Sequence, residues 1–127
     1  MAPRTRRCTA ATIAGRLRKA EQFLDAAEPI DTFAGDVADA YITLCVHAGI
    51  AAADVLCCRR LGEHAQGDDQ NQAVELLARA DRASAKDLRT LLDQKTRAGY
   101  GEQASSASDR ARAKRAASRL GEAARRA

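Results

Sequence analysis

The chain has 127 residues and a formal net charge of +4, with 46% hydrophobic but only 3% aromatic residues. That length fits one domain with a real core, and a supply of alanine in place of β-branched and aromatic residues argues against sandwiches and barrels and for closely packed helices. No apolar run reaches the roughly 18 residues of a bilayer span, and MAPRTRR leads into a mixed polar segment rather than a signal-peptide core, so the expectation is a cytoplasmic protein with no membrane partner.

Residues 1–10 read as a basic tail ahead of a single domain at 11–125. The first helix is predicted over about Thr12 to Ala27, where Ile13, Leu17, Ala20, Leu24 and Ala27 share one face. Pro29 is expected to stop it, because proline lacks an N–H and biases its predecessor out of the α region. A linker, EPIDTFAG, follows. The second helix is predicted from Gly35 to Leu61 and is the longest and most apolar, with Asp36 and Asp39 near its start and Arg59 and Arg60 at its end, as the helix dipole favours. Gly62 suits a left-handed exit. Small residues on nearly every side of VHAGIAAAD mark this helix as central.

EHAQGDDQ reads as a polar loop. A third helix is predicted over Asn71 to Ala83, carrying Ala73, Val74, Leu76, Leu77 and Ala80, with Asp68 or Asp69 as its cap. Ser84 and Asp87 resemble a capping box for a fourth, which continues through Leu88, Leu91, Leu92 and Lys95 to Ala98 and ends at Gly99. After the loop GYGEQASSAS, a last helix is expected from Ser106 or Ser108 to Arg125. Its face is mostly alanine with Leu120 the one large apolar residue, which predicts a loosely docked tip. Five helices on short loops imply an all-α, antiparallel up-and-down bundle.

Charge is concentrated at the two ends. Arg4, Arg6, Arg7, Arg16, Arg18 and Lys19 load one, and Arg110, Arg112, Lys114, Arg115, Arg119, Arg125 and Arg126 the other. Such runs either attract phosphate backbones or are solvated surface. The four cysteines are Cys8, Cys45, Cys57 and Cys58, with no C-x-x-C pair. Adjacent Cys57 and Cys58 on a helix diverge by about 100°, poor geometry for one zinc. The expectation is buried reduced thiols, no metal and no cofactor.

Two polar pairs are candidate sites. His47 and Asp54, seven residues apart, fall within about 20° on one helix face but roughly 10 Å apart along it, so a shared ligand or a facing helix must bridge them. Otherwise each satisfies a polar group at an interface. Arg59 and His64 form R-x-x-x-x-H across a helix end. Histidine as general acid or base and arginine stabilising a phosphate would suit RNA cleavage. The alternative is that Arg59 and Arg60 complement the dipole while His64 faces solvent. Gly-rich phosphate loops, Ser/His/Asp order and HExxH are absent.

The stretch AYITLCVHAGIAAADVLCCRRLGEHAQGDDQNQAVELLARAD, followed by DLRTLLDQKTRAGY and an alanine-rich last helix, resembles the HEPN superfamily over residues 36 to about 122, especially small actinobacterial HEPN-domain proteins. The resemblance implies a helical bundle, commonly a homodimer. Many such proteins are metal-independent endoribonucleases of toxin–antitoxin or defence systems using R-x(4–6)-H; others bind nucleotides or partner with minimal nucleotidyltransferases without catalysis. By that resemblance Arg59 and His64 would be the catalytic pair, with His47, Asp54 and Arg60 as ligand-binding residues. Two departures favour the non-catalytic reading. The pair lies at the end of the second helix rather than at the start of a late one, and the residue after the arginine is Arg60 rather than Asn, His or Asp. The leading expectation is therefore a module that dimerises and binds a nucleotide-related ligand or a partner protein. A ribonuclease and a basic RNA- or other nucleic-acid-binding protein are the alternatives.

Overall fold

A computed structural model describes residues 3–32 and 37–127. Five helices build the bundle: α1 (Ala10–Asp31), α2 (Ala38–Leu61), α3 (Gln70–Ala80), α4 (Arg82–Tyr100) and α5 (Ala107–Arg126). Two three-residue strands, β1 (Thr5–Arg7) and β2 (Glu63–Ala65), pair antiparallel, with Arg6 opposite His64. The expected tail at 1–10 is thus in part a strand. Backbone bonds from the Cys8 amide to the Gly62 carbonyl and from the Gln66 amide to the Arg4 carbonyl extend the ribbon at both ends.

α2 is central, packing against α1, α3, α4, α5 and β2. Its length and composition would suffice to cross a membrane, which corrects the expectation that no segment does; most of it is buried inside the bundle. It starts near Asp39, while Asp36 and the start expected at Gly35 lie outside the described residues. Gly62 adopts φ +78° and turns the chain off the helix end, as its left-handed freedom allows. Gly49 sits where α2 meets α4 and α5. A Cβ there would lie 2.3 Å from Leu91 Cδ1 and 3.3 Å from Leu120 Cδ1, both side chains being fully buried. The helix propensity gained by alanine, about 1 kcal/mol, opposes an overpacking cost of about 1–3 kcal/mol. Gly49→Ala is expected to lose about 1 kcal/mol net, read as a lower urea midpoint at unchanged slope.

Four local expectations are corrected. α1 runs past Pro29 to Asp31, because proline in the last turn removes one hydrogen bond while Ile30 packs on the core and Asp31 pairs with Lys114 (2.7 Å) and Arg110 (3.8 Å). α4 is capped by Asp81, whose carboxylate accepts from the Ser84 amide at 3.3 Å. Asp81 also closes α3, so the two helices share a one-residue joint, and Asp87 instead accepts a bidentate bond from Arg119. α5 is firmly docked rather than loose at its tip: Ala113, Ala116, Ala117, Leu120 and Ala124 are buried, and a Cβ on Gly121 would lie 2.8 Å from Leu24 Cδ1. Small residues let this helix approach without large apolar side chains. Finally, Cys8 and Cys58 form a disulfide, Cα atoms 5.6 Å apart, while Cys45 and Cys57 are buried free thiols as expected.

Candidate functional site

Arg59 and His64 are not brought together. The Arg59 guanidinium donates to the carbonyls of Ala124, at 3.5 Å, and Ala127, at the end of α5. Arg60 donates to the Ala80 carbonyl at 3.0 Å, closing α3. Both arginines thus satisfy last-turn carbonyls of neighbouring helices, where positive charge is favoured. His64, which the dipole alternative placed in solvent, is buried on β2, its Nδ1 2.9 Å from the Ala65 carbonyl. A carbonyl only accepts, so Nδ1 carries the proton of that bond.

His47 and Asp54 also face different places. His47 is exposed and stacked on Phe23, ring centroids 5.4 Å apart, beside a groove lined by Asp39, Leu44, Lys95 and Tyr100. Asp54 points instead between α1, β2 and α3. Its side chain is 15% exposed, with Arg16 Nε at 3.5 Å. Burial pushes its carboxyl up to about 6, against the pull of Arg16 and His64.

Asp54 lines two neighbouring hollows. One, of about 200 Å³, has an apolar wall of Ile50, Ala53, Leu88 and Leu92 together with Cys57, Asp68 and Asp69. The other, of about 330 Å³, is lined by Arg6, Arg16, His64 and Gln66. Ile50, Asp54, Ala65, Gly67 and Ala73 line both. The second falls at the small end of small-molecule sites, roughly 300–1,000 Å³. The Cys57 thiol is pushed up to about 12 by burial, so it stays protonated and is no nucleophile at neutral pH. Among the described residues, no group of three or more His, Cys, Asp or Glu could hold a metal ion.

The two hollows therefore offer an apolar wall, the carboxylates of Asp54, Asp68 and Asp69, the His64 imidazole and two guanidiniums. Arg6 and Arg16 were legible only as members of a basic run; the ribbon brings the first of them to a hollow that Asp54 also lines. The other basic end is largely engaged at the surface: Arg110 and Lys114 pair with Asp31, Arg119 with Asp87, and Arg125 and Arg126 with Glu122. Those guanidiniums meet carboxylates of their own chain, which weakens the case for them as a phosphate-binding stripe. Compared with known proteins, the chain matches no family model, no curated protein and no solved structure.

Proposed function

We propose that this chain is a HEPN-type antiparallel helical module that binds a nucleotide-class ligand and does not cleave RNA. One observation carries the reading: the neighbouring hollows around Asp54 set an apolar wall beside a carboxylate, with Arg6 and Arg16 lining one of them. A base fits the wall and gives an N–H donor to Asp54, while its phosphate meets the guanidiniums. The ribonuclease alternative needs Arg59 and His64 on one phosphate, and Arg59 is spent on the end of α5.

Titration calorimetry with adenosine and guanosine monophosphates tests the proposal. Binding of at least one is expected, weakened about tenfold by Arg16→Ala, which removes one charge-assisted contact. In EDTA, single-stranded RNA is expected to remain intact. Binding of neither nucleotide would sink the proposal, and cleavage abolished by His64→Ala would replace it with the ribonuclease reading.

A further inference from the structure

We propose that the Cys8–Cys58 disulfide is a redox latch whose reduction by a dithiol frees β1 from β2, uncovers His64 and removes Arg6 from the hollow. The disulfide ties the end of β1 to the last turn of α2. Apart from it, β1 is held by a three-residue ladder, its flanking backbone bonds, a bond from Thr5 Oγ1 to Glu63 at 3.1 Å and one from the Arg4 amide to Gln72 at 3.1 Å. Pro3 is buried, but Arg4, Arg6 and Arg7 are exposed, so apolar burial anchors the segment only at its first residue. A two-stranded ribbon without a hydrophobic face is marginal in water. The covalent bond is therefore the main restraint at the Cys8 end of the strap, the end that carries Arg6, while Pro3 anchors the other.

What lies under the strap gives release its consequence. Arg6 stands directly opposite His64, and both line the hollow with Asp54. His64 is 6% exposed with the strap in place. Thr9, the N-cap of α1, marks where the strap meets a helix held by its own capping box and core contacts.

The exchange is balanced. Cys8 is the more accessible sulfur, Cys58 being buried. One thiolate of the dithiol attacks Cys8 Sγ, the S–S bond breaks, and Cys58 leaves as a thiolate that takes up a proton. The second thiol then attacks the dithiol's own sulfur in the mixed disulfide, releasing Cys8. The protein gains two electrons and two protons, and the dithiol closes to its cyclic disulfide.

The test uses the chain's two histidines, with exposed His47 as internal reference. Oxidised protein, protein reduced with a dithiol and alkylated, and Cys8→Ser are treated with diethyl pyrocarbonate, and adducts are located by mass spectrometry. The His64-to-His47 adduct ratio is expected to rise roughly tenfold on reduction and in Cys8→Ser, with helical circular dichroism unchanged. Reduced wild-type protein carries the test if Cys8→Ser does not fold. An unchanged ratio overturns the latch. So does a ratio that rises only as helicity is lost, since the disulfide would then hold the whole fold rather than a strap.

The effect on ligand rests on the nucleotide reading, so the better-binding monophosphate is titrated into both forms. Its affinity is expected to fall about tenfold on reduction as Arg6 departs. Equal affinity in both forms overturns the regulatory role. Binding to neither form removes the nucleotide reading, while the release of the strap is still decided by the His64 ratio.

Discussion

Cys8→Ser is expected to lower the free energy of unfolding by about 4 kcal/mol, because the cross-link it removes joins residues 50 apart in sequence and restricts the unfolded chain. Against a typical reserve of about 5–15 kcal/mol that is a large share. Its origin is the unfolded ensemble, so the bundle's buried contacts are not what is lost. The slope of unfolding against urea is expected to rise in the variant, since an unlinked chain exposes more surface. Urea titration of oxidised wild type and Cys8→Ser, followed by circular dichroism, measures both. A difference below about 1 kcal/mol would mean that the ordered ribbon, rather than the cross-link, keeps Cys8 near Cys58. Local release and global loss remain separate quantities: the first is read at His64 under native conditions, the second at the unfolding midpoint.

The helices were legible because each buried face repeats with helical spacing, and α2 was legible as central because apolar or small residues surround it. Boundaries failed where tertiary contacts outweighed local rules. Pro29 did not stop α1, since Asp31 has Lys114 and Arg110 to meet. Ser84 did not cap α4, since Asp81 stands one residue ahead of the helix and offers a charged acceptor. The ribbon left no pattern at all: three residues are too few for alternation to show. Without the ribbon, nothing in the spacing of four cysteines brings Cys8 back to Cys58. The divergence of Cys57 and Cys58 was nonetheless readable, and it separates their roles, one thiol lining the hollow and the other closing the strap.

His64 and Asp54 were both singled out by type, and the structure sets each beside residues other than its sequence companion. Pairing Arg59 with His64 by linear spacing ignores Gly62, whose left-handed turn sends β2 away from the end of α2 and along β1. Pairing His47 with Asp54 treats α2 as having one functional face. With neighbours all round, residues two turns apart serve different grooves. What the sequence could not indicate is that an arginine of β1 and one of α1 line the same hollow, the second of them paired with Asp54.

Asp54→Asn is expected to stabilise the protein at pH 7.5 by about 2 kcal/mol while abolishing nucleotide binding. Burial raises the Asp54 carboxyl from 3.8 to about 6, and at about 1.4 kcal/mol per pH unit the ionised form costs the fold about 3 kcal/mol. The unfolded chain ionises first, so this group's penalty is absent below about pH 4 and grows as pH rises towards 6. Asparagine has no charge to bury but still needs a hydrogen-bond partner, which trims the gain to about 2 kcal/mol. Wild-type protein should therefore be stabilised, relative to the variant, between pH 7.5 and 4.5. Asp109, held down at about 2 by its bonds from Ser106 and Arg112, acts with the opposite sign and mainly below that window. Urea unfolding of both proteins at the two pH values gives the difference directly. A variant less stable at pH 7.5 would show that the Arg16 pair outweighs desolvation and that Asp54 is structural. A variant more stable but unable to bind would identify Asp54 as a carboxylate retained for its ligand at the expense of the fold.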